Sequence, residues 1–213
     1  MDLVHPLAGK YAENYSSPES ELLSKVDAYT REHHSQEYIM LSGHLQGKVL
    51  EMLSTMMRPD RILEIGTFTG YSALCLAKGL APNGKLHTID IRSADSEAVK
   101  TFFDQSPYRD QIILHSGDAA EIIPRIDETW DLVFIDADKP SYIRYFNLVF
   151  PMLRKNGFIL ADNILFHGQV LDGNITGKNA KGIQAFNDFV KQRTDIESVV
   201  LTVRDGLFLI QKL

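Results

Sequence analysis

From Arg61 onward, short apolar runs alternate with amphipathic stretches. Leu132-Val133-Phe134-Ile135 and Phe158-Ile159-Leu160-Ala161 have no polar interruption, the pattern of strands buried on both faces of a parallel sheet. The predicted strands are Arg61–Ile65, Lys85–Ile91, Gln111–His115, Leu132–Ile135, Phe158–Ala161, Ser198–Val203 and Leu207–Gln211. Helical patterns starting near Tyr71, Asp95, Ala119, Ser141 and Ala180 separate the first six. This alternation predicts an α/β, doubly wound sheet with helices on both faces. Only Arg204-Asp205-Gly206 separates the last two strands, a connection that permits an antiparallel hairpin and nothing longer.

Residues 1–60 read as an N-terminal helical extension. Ser17-Pro18-Glu19 has the form of a helix start, a capping serine followed by proline and an acid. A second helix is expected from about Gly43 to Met57, with Leu45, Val49, Leu50 and Leu53 on one face. There is no internal repeat or low-complexity linker, so residues 1–213 are expected to form one domain, with 61–213 as its core. Phe166 to Gly182 has no regular period; a flexible lid and an ordinary surface connection are both open. The sequon Asn174-Ile175-Thr176 reads as a chance occurrence.

A formal charge of −6 argues against a nucleic-acid surface, where affinity rests on lysine and arginine meeting phosphates. No apolar stretch approaches a membrane span and the N-terminus lacks a signal-peptide core, so a soluble cytoplasmic protein is expected. The single cysteine, Cys75, lies in a helical apolar pattern and reads as a packed core thiol.

Two local patterns carry chemistry. Glu64-Ile65-Gly66-Thr67-Phe68-Thr69-Gly70-Tyr71-Ser72 leaves the first strand and opens a helix. Its glycines suit a tight turn close to a ligand, but Phe68 fills the central glycine position of a dinucleotide loop, which disfavours phosphate cradling. Asp90 ends the second strand, where a carboxylate accepts ribose hydroxyls, although a helix cap is its alternative role. A glycine turn with a ribose acid and no phosphate loop points to a nucleoside cofactor carrying an amino acid, as S-adenosylmethionine does. Separately, Asp136, in Phe134-Ile135-Asp136-Ala137-Asp138-Lys139, and Asp162-Asn163 stand just beyond two strand ends. Either acid alone suits a helix cap. Together with the asparagine they supply an oxygen-only set suited to magnesium, with manganese or calcium as alternatives, and unsuited to zinc.

Met40-Leu41-Ser42-Gly43-His44-Leu45-Gln46-Gly47, the Glu64–Ser72 turn, Phe134–Lys139, Asp162-Asn163 and the Asp205-Gly206 hairpin occur in this order. Together they resemble the cation-dependent O-methyltransferases, the group that includes the caffeoyl-CoA and catechol enzymes, over roughly residues 15 to 213. The resemblance implies a Rossmann-like fold and an S-adenosylmethionine site. Ser42, Glu64, Gly66, Thr67 and Ser72 would meet the methionine end, Asp90 the ribose and Ala119 the adenine, with Asp136 and Asp138 as further cofactor contacts. It implies Asp136, Asp162 and Asn163 as metal ligands, Asp136 and Lys139 as catalytic residues with Lys139 the general base, and a homodimer. Asp138 stands where the catechol enzymes have tryptophan, which places the chain nearer the caffeoyl-CoA branch. His167 departs from a substrate-contacting asparagine of the plant enzymes.

The expected activity is methylation of one hydroxyl of a catechol-like or caffeoyl-type vicinal diol. A phenol near its ordinary pKa of about 10 is a poor nucleophile until a cation stabilises its phenolate, and a lysine beside that cation is expected to have a lowered pKa. An NAD-dependent oxidoreductase and a non-catalytic cofactor-binding dimer are the alternatives. Phe166, Tyr38 and Phe208 are candidates for an aromatic pocket or for the core, with Phe208 assigned to the core. His44 and His167 could line the site, with a satisfied or solvent-exposed histidine as the default reading.

Overall fold

The computed structural model describes residues 3–92, 94–171 and 175–213. Its strands are β1 (Arg61–Ile65), β2 (Lys85–Asp90), β3 (Ile112–Ser116), β4 (Trp130–Ile135), β5 (Leu153–Asp162), β6 (Ile196–Leu201) and β7 (Leu207–Lys212). They form one seven-stranded sheet in the order β3-β2-β1-β4-β5-β7-β6. The first five pair in parallel, and β7 lies antiparallel between β5 and β6. The expected doubly wound sheet with its antiparallel closing hairpin is therefore present.

The helices are α1 (Pro6–Tyr15), α2 (Glu21–His33), α3 (Gly43–Met57), α4 (Tyr71–Ala77), α5 (Ser96–Gln105), α6 (Ala119–Ile122), α7 (Tyr142–Val149) and α8 (Lys178–Lys191). Side chains alternate across a strand, and here both sets are apolar. Leu63, Ile65, Val133, Ile135, Ile159 and Ala161 pack with residues of α6, α7 and α8. Ile62, Leu86, Leu132, Phe134 and Leu160 pack with residues of α2, α3, α4 and α5. Every residue of β4 is buried, which explains its uninterrupted apolar run. Full burial of a side chain such as Phe134 or Phe146 contributes about 1.5–3 kcal/mol each.

The boundaries differ where local pattern competes with pairing. The helix start assigned to Ser17-Pro18-Glu19 is three residues early: Ser20 caps α2, its hydroxyl accepting the Leu23 amide at 3.2 Å. Ser20 directly precedes the stripe that α2 buries, Leu23, Val26 and Thr30. Helix α1 buries no residue; its apolar positions Leu7, Tyr11 and Tyr15 are exposed. Strand β6 spans 196–201, earlier than its Ser-Val-Val run suggested, because pairing of Ile196 with Lys212 on β7 sets its register. Helix α8 starts at Lys178, and Phe166–Leu171 form short 3-10 turns. Ser93, which with Asp95 was a candidate cap for α5 in place of Asp90, and the sequon asparagine Asn174 lie outside the described residues. No helix among the described residues is long and apolar enough to cross a membrane.

The strand order reverses between β1 and β4, so the connections leaving their carboxyl ends diverge. A crevice forms at such a point. The segments that leave these strands begin at Gly66 and Asp136.

Candidate active site

The crevice holds a cavity of about 540 Å³, the size of a small-molecule site. Ser42, Gly66, Thr67, Ser72, Asp90, Ala119, Asp136 and Asp138 all line it, as do Lys139 and Asn163. Two expected site residues lie behind the wall instead: Glu64 and Asp162 are completely buried.

Gly66 is required by the sheet, whatever binds above it. Its φ is +103°, and a Cβ there would stand 1.9 Å from the Asp136 carbonyl oxygen. The turn after β1 therefore lies directly on the end of β4. Asp90 holds the same turn from the other side. One carboxylate oxygen accepts the Thr67 and Phe68 amides at 3.0 and 2.7 Å, and the other accepts the Arg92 amide at 2.7 Å. Asp90 thus shapes the turn in addition to facing the cavity, and it does not cap α5. Asp95, at the N-terminus of α5, makes no cap bond either; its carboxylate takes the Tyr29 hydroxyl at 3.1 Å and a His34 ring nitrogen at 2.8 Å.

Beneath the turn, Thr88 donates to Glu64 at 2.5 Å and meets the Thr67 hydroxyl at 2.5 Å. The second Glu64 carboxylate oxygen is buried without a partner. Burial pushes the Glu64 carboxyl up to about 8, opposed by the Ser72 and Thr88 hydroxyls. A cationic group arriving beside Glu64 would favour its ionised form.

At the other end of the cavity, Lys139 Nζ donates to Asp136, to Asn163 Oδ1 and to the Tyr142 hydroxyl, each at 2.8 Å. Asp136 caps nothing; its carboxylate faces this ammonium. Asp162 accepts the Gln46 amide at 2.7 Å and the Asn163 backbone N–H at 2.7 Å. Burial, reinforced by Asp136, pushes the Asp162 carboxyl up to about 6. The lowering of Lys139 was expected beside a bound cation; with the carboxylates alone facing the ammonium, the shift is upward. Burial does pull its pKa down, but Asp136, Tyr142 and Asp162 outweigh it and hold the ammonium above the usual lysine value.

Asp136 and Asn163 both accept from one cation, the Lys139 ammonium, whereas the Asp162 carboxylate is bonded to Gln46 and the Asn163 backbone N–H. Among the described residues no three His, Cys, Asp or Glu side chains group as metal ligands, and the expected set contains only two such groups, Asp136 and Asp162, with the Asn163 amide as its third oxygen. Two carboxylates and an amide suit a hard divalent ion. Asn163 has φ 55°, a left-handed conformation that asparagine tolerates better than most residues.

Several contributors carried no local signal. Gln46 is buried and reaches Asp162 across 116 residues of sequence. Tyr142 is fully buried beneath Lys139. Tyr145 donates to Asp138 at 2.7 Å. Their only trace was position, since Tyr142 and Tyr145 open the helix that follows the Asp136–Lys139 stretch. Phe166 lines the cavity, whereas Tyr38 bonds to Asp27 and Phe208 joins the core. His44 meets the Ser17 carbonyl at 2.8 Å. His167 lines the cavity, the first of its two readings, and its side chain is also half exposed. Cys75 is buried, as expected for a packed thiol.

Comparison with known proteins agrees with this geometry. Residues 13–213 match the family model described as O-methyltransferase. A catechol O-methyltransferase of Niastella koreensis is 33% identical over 160 residues, covering 73% of this chain and 72% of that protein. A probable caffeoyl-CoA O-methyltransferase of Dictyostelium discoideum is 28% identical over 209 residues, covering 95% and 90% respectively. The O-methyltransferase TomG of Streptomyces achromogenes, involved in tomaymycin synthesis and crystallised with S-adenosylmethionine, superposes with a TM-score of 0.87 at 28% identity, covering 97% of this chain and 96% of that one. With a family match across both the glycine turn and the paired strand ends, the chain belongs to the O-methyltransferase family.

Proposed function

We propose that this enzyme moves the methyl group of S-adenosylmethionine to one hydroxyl of a catechol-like or caffeoyl-type vicinal diol, aided by a divalent cation. Magnesium suits the site best, with manganese and calcium as alternatives. The observation that carries the reading is the convergence of Asp136 and Asn163 on one cationic position, 2.8 Å from each, at the edge of the cavity that the Gly66 turn lines.

The cofactor supplies an electrophilic methyl group on a sulfonium. The unpartnered buried oxygen of Glu64 suits its cationic amino group, with Ser42, Gly66, Thr67 and Ser72 around the same end. Asp90 and Ala119 would receive the nucleoside, and Asp136 and Asp138 would complete the wall. Asp136, Asp162 and Asn163 would hold the metal, whose charge would stabilise a phenolate. Beside the metal's charge the Lys139 ammonium would lose its own proton more readily, and the free amine would then accept the proton that the attacking hydroxyl gives up. Fixing the diol beside the methyl group lowers the barrier by positioning, worth roughly 7–11 kcal/mol in favourable cases. The proposal includes a cytoplasmic homodimer acting on a small molecule, without nucleic acid or membrane as partner. Exposed Leu7, Tyr11 and Tyr15 on α1 offer an apolar face for a second copy, and a single-chain mass on sedimentation would remove that part.

Chelation sets the test. Catechol and caffeic acid are expected to be methylated, and resorcinol, whose hydroxyls are not adjacent, is not. Equal rates on both geometries, or binding of NADH in preference to S-adenosylmethionine, would contradict the reading. For Lys139→Ala we expect about a hundredfold lower turnover, in the range of a lost general base. The loss should shrink toward alkaline pH, where a phenol with a pKa of about 10 ionises unaided. An unchanged rate would assign Lys139 to pairing alone.

A further inference from the structure

Asp162 is a costly residue to place where it lies. Its side chain is fully buried, and both of its hydrogen-bond donors are uncharged. Gln46 Nε2 gives to one carboxylate oxygen and the Asn163 backbone N–H to the other, each at 2.7 Å. A buried carboxylate held by neutral amides is less favourable than an apolar side chain of the same size.

Gln46 carries a cost of its own. It is 1% exposed and stands on the buried stripe of α3 with Gly47, Leu50, Glu51 and Ser54. The other polar members of that stripe are satisfied: Glu51 pairs with Lys48 and Lys78, and Ser54 donates to the Leu76 carbonyl. Gln46 is not, because its Oε1 is buried without a partner. A methionine would fill the same space without stranding an oxygen. Packing of α3 on the sheet therefore does not account for this glutamine, whereas its bond to Asp162 does.

That bond has a geometric consequence. Donors on two different oxygens fix both the rotamer and the plane of the carboxylate. Each oxygen has two lone pairs, so each keeps one free. Asp136 and Lys139 lie close enough for their charges to act on Asp162, and Lys139 sits 2.8 Å from both Asp136 and Asn163. The pinned carboxylate thus stands beside the same cationic position. The Asn163 bond is local to the chain, but Gln46 reaches across from the N-terminal helices, 116 residues away.

We propose that Gln46 is a positioning residue for the divalent ion, its amide holding the Asp162 carboxylate in the orientation that binds the metal. This rests on the divalent-ion reading of the site. Gln46 does not line the cavity, so it acts through Asp162 and leaves the cofactor alone. A partner of this kind behind a metal ligand changes metal affinity about 10–100-fold.

Manganese binding by metal-stripped protein, without acceptor or turnover, is the test. The EPR signal of the free ion gives the dissociation constant, and competition by magnesium shows that one site takes both. Gln46→Met keeps the length of the side chain and removes the donor. It is expected to bind manganese about 10–100-fold more weakly, with unchanged affinity for S-adenosylhomocysteine. Gln46→His places an Nε2–H at similar reach and is expected to restore most of the lost affinity. Turnover of caffeic acid by Gln46→Met should fall at limiting magnesium and recover at saturation, a rescue that a packing defect would not show. In the unaltered protein the side-chain amide resonance of Gln46 should shift when magnesium is added. The resonance needs no variant, so a failure of Gln46→Met to fold leaves the test intact.

Equal manganese affinity in Gln46→Met and the unaltered protein would overturn the proposal while leaving the metal site in place. So would equal losses in Gln46→Met and Gln46→His, or an amide resonance that magnesium does not move. Absence of magnesium-competed manganese binding in the unaltered protein would overturn both the role of Gln46 and the divalent-ion reading.

Discussion

Asp162→Asn is expected to reduce methyl transfer about a thousandfold, equivalent to roughly 4 kcal/mol of lost transition-state stabilisation. The dissociation constant for S-adenosylhomocysteine should stay nearly unchanged, because Asp162 is fully buried behind the cavity wall and touches none of the turn residues. The substitution keeps side-chain size, and a flip of the Gln46 amide presents its unpartnered oxygen to the new donor. In metal-stripped protein the variant should also be more stable than its parent at neutral pH. The Asp162 carboxyl is raised from 3.8 to about 6 by burial and by Asp136, so its linkage contribution is fully present below 3.8 and is lost as pH rises through about 6. Removing the acid removes that loss. The gap in melting temperature should open between those two values and persist above them. Near-normal turnover in the variant, or weakened cofactor binding with an intact fold, would show that the metal and cofactor assignments are wrong.

The second large effect is expected at Gly66. In Gly66→Ala the new Cβ meets backbone, 1.9 Å from the Asp136 carbonyl oxygen and 2.7 Å from its carbon, in a conformation with φ +103°. Neither group is a flexible side-chain end. The turn must therefore lift, or the ends of β1 and β4 must part, and the Asp136 amide bond to Ile65, 2.9 Å long, strains with them. A cost of about 3–5 kcal/mol places the variant among the most disruptive substitutions. For a chain of this size that corresponds to a melting temperature lower by very roughly 6–20 °C. Cofactor binding and turnover should fall together, since Thr67 and Asp136 move with the turn. Calorimetry on Gly66→Ala checks this, and an unaltered melting temperature would mean that the turn is not seated on β4.

The succession of strands along the chain and the closing hairpin were legible because both follow from local pattern; the order of strands across the sheet was not. An apolar run as short as 132–135, bounded by polar residues, is too short for a buried helix and suits a strand buried on two faces, so the polar residue ending it falls at a strand end. Gly66, Asp136 and Asp162-Asn163 were visible for that reason. Contacts between layers were not. Gln46 looks like any polar residue on α3, and only folding shows that it meets Asp162. Ser17 and Ser20 offer the same capping chemistry, and tertiary burial of Leu23 and Val26 chooses Ser20. The direction of the Lys139 shift depends on a balance between burial and three neighbours. No residue pattern carries that balance. Asp205 lies far along the chain from the segment it holds, 38 residues from His167, and its role is invisible until the hairpin folds back.

The central claim is that the paired strand ends serve catalysis by holding a divalent ion. Its most direct test is turnover of caffeic acid by enzyme stripped with EDTA, then dialysed and resupplied with magnesium, with affinity for S-adenosylhomocysteine measured at each stage. The account predicts turnover at least about a hundredfold lower without metal, full recovery on adding magnesium, and unchanged cofactor affinity throughout. Undiminished turnover after complete metal removal would contradict it.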